Sequence, residues 1–190
     1  SSANDRSGTS LRAAFDICND NFAELYDEGS ALPYQIEGTN FTGSLIIGHT
    51  TTGTLSSAEY NTGVGIGALD ALTTGDGNVA IGYNTGTTLT EGLENTLVGA
   101  YAGDALTTGD ENVAIGVHAL STEDTGNKNV AVGQGALFAL NYNGDGYNVA
   151  VGCKAGNDIT TGTGNTLVGG LAGDAITTGA NNVVIGKDAG

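Results

Sequence analysis

Asn95-Thr-Leu-Val-Gly-Ala-Tyr-Ala-Gly-Asp-Ala-Leu-Thr-Thr-Gly-Asp-Glu111 is a seventeen-residue phrase, and Asn165 to Asn181 repeats it almost letter for letter. Its head, Asn followed by three mostly apolar residues and Gly, begins at Asn61, Asn78, Asn95, Asn112, Asn129, Asn148, Asn165 and Asn182. The steps between these are 17, 17, 17, 17, 19, 17 and 17. One further step of 17 back from Asn61 reaches Ser44, where Ser-Leu-Ile-Ile-Gly is a ninth, degenerate copy. A fixed short period is the signature of stacked, near-identical coils, each covering its neighbour.

With the Asn as position zero, each position has a physical reading. Positions one to three, as in Val79-Ala80-Ile81 and Val113-Ala114-Ile115, are β-prone and predict a short strand. Position four is glycine in every copy: Gly48, Gly65, Gly82, Gly99, Gly116, Gly133, Gly152, Gly169 and Gly186. These are the expected turn glycines, placed where the chain needs a positive φ or a close backbone neighbour. Position seven is small, from Ala68 and Thr85 to Ala172 and Ala189, as a crowded interior requires. Position eleven is Leu or Ile at Leu55, Leu72, Leu89, Leu106, Leu140, Ile159 and Ile176, and Thr-Thr-Gly usually follows, which predicts a second strand and turn. Glu123 breaks this column, and the Asn129 coil carries two extra residues around Asn143-Gly144-Asp145-Gly146, a surface bulge. The fold class expected is mainly β: a repetitive β-solenoid or β-roll over residues 44–190, with nine coils, the last incomplete. Rungs spaced by about 4.8 Å give a rod of roughly 40 Å.

Strand alternation points Val79 and Ile81 one way and Ala80 the other, yet both faces are apolar in most copies. One face can fill the coil's own interior, and the other needs cover. Each Val or Ile buried is worth about 1.5 to 3 kcal/mol, so repeated over nine rungs the second face favours a homo-oligomer over a monomeric two-layer solenoid.

The composition restricts partners. Five basic against 21 acidic residues leave a net charge of −16, with no basic stripe to bind nucleic acid or an anionic membrane. Acidic turns also keep a long rod soluble. No stretch approaches the roughly 18 apolar residues that cross a bilayer as a helix. Cys18 and Cys153 lie in dissimilar segments and read as free thiols. The chain does not start with Met and stops inside a repeat at Gly190, so it reads as part of a longer protein.

Residues 1–29 follow another period. Hydroxyls at 7–10 offer a helix N-cap, and Leu11, Phe15, Cys18, Phe22 and Leu25 paint one apolar stripe at steps of 4, 3, 4 and 3. A helix of about four turns is marginal alone and must dock on something. Residues 30–43, with the single proline, read as a connector holding one short strand.

The segment from Asn4-Asp5-Arg6-Ser7-Gly8-Thr9-Ser10-Leu11-Arg12 through Asn21-Phe22-Ala23-Glu24-Leu25-Tyr26 resembles the N-terminal segment of structural fibre and baseplate-associated proteins of tailed bacteriophages. Arg6 and Ser7 stand where that pattern has Gly-Thr, and Asp16 and Cys18 also depart from it. The repeats are similar to the N-V-A-I-G coils of phage fibre proteins and, more distantly, to the head repeats of trimeric autotransporter adhesins. The resemblance implies a homotrimeric virion fibre, located on the extracellular particle. Its helix stripe would dock on other virion proteins, and a distal part would be presented to a host receptor or glycan. A cell-surface trimeric adhesin head and a carbohydrate-active tailspike are the alternatives.

Residue chemistry gives little support to an enzyme or a cofactor. His49 and His118 do not recur in the period and have no triad or metal-ligand spacing around them. Asp104, Asp110, Glu111 and Asp174 sit at repeated turn positions, where solvated turns are favoured over a Ca²⁺ ladder or paired catalytic carboxylates. The glycines at 63–67 and 133–135 lack the following Lys and helix of a phosphate loop. Stacked Thr pairs, as at Thr73-Thr74 and Thr107-Thr108, would suit a flat ice-binding array, but Thr90-Glu91 and Asp124-Thr125 interrupt it.

Overall fold

The computed structural model describes residues 34–38, 41–47 and 57–190. The helix stripe Leu11, Phe15, Cys18, Phe22 and Leu25, together with Gly48, His49 and Leu55, lies outside the described residues. A single sheet runs in chain order: β1 (Tyr34–Gly38), β2 (Phe41–Ile47), β3 (Thr62–Val64), β4 (Val79–Ile81), β5 (Thr96–Val98), β6 (Val113–Ile115), β7 (Val130–Val132), β8 (Val149–Val151), β9 (Thr166–Val168) and β10 (Val183–Ile185). β1 pairs antiparallel with β2, and every later pair is parallel with corresponding repeat positions opposite one another, as in Val79↔Thr96 and Ala114↔Ala131. The described residues therefore form a parallel β-solenoid opened by a hairpin. The two extra residues of the fifth Asn coil leave the register between β7 and β8 intact. Nine parallel rungs span about 40 Å.

Each coil holds one strand, not the two expected from the Leu-Thr-Thr-Gly signal. The amides of Thr73, Thr74 and Gly75 all converge on the carbonyl of Thr90, at 3.0, 3.1 and 3.2 Å. A strand ladder needs one carbonyl per alternate amide, so this wall is a stack of turns. Its threonines are used structurally: Thr73, Thr90 and Thr107 each donate Oγ1–H to the equivalent carbonyl of the next coil at 3.0 Å. A hydroxyl turned along the stack in this way is not presented as a flat outward array.

From Asn61 to Asn165 the Asn that opens each coil is fully buried, and its hydrogen bonds can be accounted for completely. Asn95 donates its backbone N–H to Asn78 Oδ1 at 3.0 Å, while its Nδ2 donates to Asn78 Oδ1 at 3.0 Å and to the Gly109 carbonyl at 2.8 Å. Its own Oδ1 accepts from N and Nδ2 of Asn112 at 3.0 and 3.2 Å, and its carbonyl accepts from Val79 N. The pattern runs unbroken to Asn182, and Ser44 Oγ starts it by accepting from Asn61 N at 2.7 Å. Asn129 sits in the lengthened coil, and there the second Nδ2 bond goes to the carbonyl of its neighbour Asn127.

The interior is filled by the middle strand residue, the small residue at position seven, and apolar columns at positions eight and eleven. Positions two and eight share one space. Leu97 is followed by Gly103, Leu167 by Gly173, and Leu69, Leu120 and Leu137 are preceded by Gly63, Ala114 and Ala131. A Cβ at Gly103 would lie 2.9 Å from Leu97 Cδ2, and one at Gly86, a rung away, 2.8 Å from Leu97 Cδ1. A leucine thus occupies room that glycines in its own coil and the preceding one leave open, which keeps the core dense without a strict repeat.

The position-four glycines from Gly65 to Gly186 have φ between 125° and 142°, where side-chain-bearing residues are strained. At Gly116 a Cβ would also approach the Gly133 carbonyl carbon and oxygen to 2.6 Å. Gly116→Val should therefore lower stability by more than about 1 kcal/mol, measured by denaturant unfolding; an unchanged midpoint would refute it. Asn95→Ala strands the Gly109 carbonyl and the Asn112 amide in the interior, so a loss of about 3 kcal/mol or more is expected in the same measurement.

Candidate functional site

Alternation along three-residue strands separates the two faces cleanly. Ala80, Leu97, Ala114, Ala131, Ala150 and Leu167, each at mid-strand, are fully buried, whereas the residue after each faces outward. Ile47, Val64, Ile81, Ile115, Val151 and Val168 stay 36–41% exposed even though strands flank them above and below. Ile66, Tyr83 and Val117, two positions further on, widen the ribbon at 65, 48 and 44% exposure. The result is a continuous apolar face on one side of the sheet, the feature with most capacity for a macromolecular contact.

The corner beside this face carries rings. From Gly67 to Asp188 position six has positive φ in every coil, as at Asn84, Tyr101, His118, Lys154 and Leu171, so a side chain there projects from the corner. Tyr101 and His118 stack face to face at 4.9 Å and 6°, a separation set by the rung spacing. Tyr83 and Phe138 meet the two ends of this pair edge-on, at 5.4 and 6.1 Å. Next to it lies a groove of about 300 Å³ lined by His118, Gln134, Gly135, Phe138, Lys154 and Asn157. His118 thus belongs to a ring stack, with the Ser121 hydroxyl 3.5 Å from its Nδ1.

The turn acids have partners in the coil stack. Asp76 and Asp110 accept the backbone amides of Glu59 and Leu93, each at 2.7 Å, and Asp104 accepts the Ser121 hydroxyl at 2.5 Å. Glu111 is exposed on a left-handed residue, and Asp174 is half-buried. Among the described residues no group of three His, Cys, Asp or Glu side chains is placed to hold a metal ion. Cys153 is an exposed free thiol that donates to Gln134 Oε1 at 3.3 Å.

Glu123, the exception in the leucine column, is fully buried and organises the bulge. Its Oε1 accepts from Gly126 N at 2.8 Å and its Oε2 from Tyr142 N at 3.2 Å, so it satisfies an amide that the inserted residues have moved. Nearby, Lys128 pairs with Asp145 at 2.7 Å on the surface of the same bulge. Burial raises the Glu123 carboxyl above the usual glutamate range despite these two bonds, which oppose the shift.

No family model matches the chain, and no curated protein or solved structure does either.

The raised Glu123 carboxyl fixes a sign. The folded protein binds this proton before the unfolded chain does, so its contribution is fully present below the ordinary glutamate range and is lost as pH rises through the raised folded value. The stability of the native chain relative to Glu123→Gln should therefore increase as pH falls across that window. A difference in melting temperature that does not change with pH would contradict it.

Proposed function

We infer that this chain is a structural shaft: a homotrimeric β-solenoid that is part of a virion fibre, joined to the particle by the N-terminal segment and holding a distal part outward for host attachment. The single observation that supports this reading is the apolar ribbon on the outer face of the sheet. Its Val and Ile side chains each retain more than a third of their surface in contact with water, and the ribbon repeats on nearly every rung. Covering the remainder contributes about 0.5 to 1 kcal/mol per side chain, several kcal/mol over the whole ladder. Copies of the same chain, with the same rung spacing, offer a matching apolar face. Three copies agree with the resemblance of the repeats to fibre coils.

A structural role rather than a catalytic one is favoured by how the polar residues are used. The asparagines, the threonines and several turn acids bond to neighbouring coils.

Light scattering on the chain at micromolar concentration should give the mass of three copies; a monomer mass would defeat the assembly. Removing residues 1–29 should leave a β-rich trimer that no longer joins the particle, and incorporation at normal copy number would move the attachment elsewhere.

A further inference from the structure

Position six is glycine in two of the described coils, at Gly67 and Gly135; the Asn84 side chain fills the space over Gly67, and only Gly135 leaves a gap in the column. Tyr101 and His118 stand on successive rungs with parallel rings, Lys154 stands two rungs beyond His118, and between them is Gly135. Two rungs are roughly 10 Å, room for one ring between two walls. Gly135 is not required there by crowding. A Cβ on it would make only ordinary contacts, 3.5 Å from Asn157 Oδ1 and from Lys154 Cγ. The positive φ is met at this position by Asn84, Tyr101, His118, Lys154 and Leu171 without glycine. The missing side chain therefore leaves a slot of one rung, floored by backbone, with His118 on one side and Phe138, 37% exposed and set at 79° to the imidazole, at the rim.

The polar groups around the slot have spare capacity of both kinds. Gln134 uses its Oε1 for the Cys153 thiol, which leaves its amide N–H groups. Asn157 uses its Nδ2 for Asp158 at 2.6 Å, which leaves its Oδ1 beside the slot. Among the described residues Lys128 and Lys187 are paired with Asp145 and Asp188, while Lys154 has no carboxylate. An aromatic side chain entering this slot would bury two amides and an ammonium without partners, which is costly. A hydroxylated ring presents C–H groups to the aromatic rings of the groove and donors and acceptors at its edge, and a carboxylate on that ring would meet Lys154.

We propose that the slot over Gly135 is a binding site for one carboxylated pyranose, a uronic-acid residue of a polysaccharide. The sugar's C–H face packs against the rings of Phe138 and His118 that line the groove, its hydroxyls bond to Gln134 and Asn157, and its carboxylate pairs with Lys154. The net charge of −16 opposes an anionic ligand, so affinity for a single residue is weak. The site depends on this corner alone and not on the fibre reading.

The test is saturation-transfer NMR with methyl β-D-glucuronide, with methyl β-D-glucoside as the neutral counterpart. The glucuronide should give saturable transfer, strongest at ring C–H protons, and bind about fivefold more tightly than the glucoside. Gly135→Tyr continues the ring column and should abolish binding while leaving a folded, β-rich chain of unchanged oligomer mass. If that variant does not fold, Lys154→Gln, an exposed change, should reduce the glucuronide to the level of the glucoside. Absence of saturable transfer to either sugar, equal affinity for both, or undiminished binding by a folded Gly135→Tyr protein overturns the proposal. A changed oligomer mass in Gly135→Tyr overturns it too, because the slot would then receive a side chain of a second copy. Failure of the sugar test leaves the chain mass of the native protein unaffected, so the two readings fail separately.

Discussion

The asparagine ladder is the constraint on which the other regularities depend. A buried primary amide carries two donors and two acceptor sites, and inside an apolar coil each must be met. Here the column meets them only if every Asn sits directly over the last, one rung away, with a close glycine carbonyl such as Gly92 or Gly109 at the far end of the same coil. That requirement locks rung spacing, parallel register and coil length together. A shift of one residue would leave several buried polar groups unpaired in every coil, a far larger penalty than the loss of a few apolar contacts. Ser44 shows the minimum that the position demands, an oxygen to accept the next amide.

Once the ladder fixes the frame, the apolar core has freedom inside it. The exchange between Leu97 and Gly103, and between Ala114 and Leu120, conserves filled volume across neighbouring coils rather than residue identity within one. The glycines at position four allow no such freedom, because backbone from the next coil stands where a side chain would begin. The bulge after Asn129 extends the same logic to a polar fault. Two inserted residues displace the amide of Tyr142, and a buried Glu123 in place of leucine supplies the acceptor, at the cost of desolvating a carboxyl.

The outside of the solenoid has two features with different origins. The apolar ribbon is a direct product of strand alternation, repeated wherever positions one and three are Val, Ile or Thr. The slot over Gly135 is a departure from the repeat, produced where position six is glycine and, unlike at Gly67, no neighbouring side chain crowds the space. Repetition gives the rod its long surfaces, and a departure is what makes one rung unlike the rest.

The period of seventeen, the turn glycines, the small interior positions and the outward apolar residues were all legible in the sequence, because a stacked coil presents the same environment at the same position each time. The second strand was misread: Leu72-Thr73-Thr74-Gly75 has β-prone residues, but three amides converging on one carbonyl make it a turn, a choice set by the neighbouring coil. The role of the asparagines was visible only as an invariant letter, since a ladder of side-chain amides exists between coils and not within one. The ring stack was less legible still. Tyr83, Tyr101, His118 and Phe138 occupy three different repeat positions, and only Tyr101 and His118 share one that alignment of the coils could have paired. Sequence by itself determined the repeat and its two apolar faces, because these follow from the chain's local chemistry. Tertiary structure decided which polar groups pair, which wall is strand and where the column is broken, because those depend on atoms one rung away.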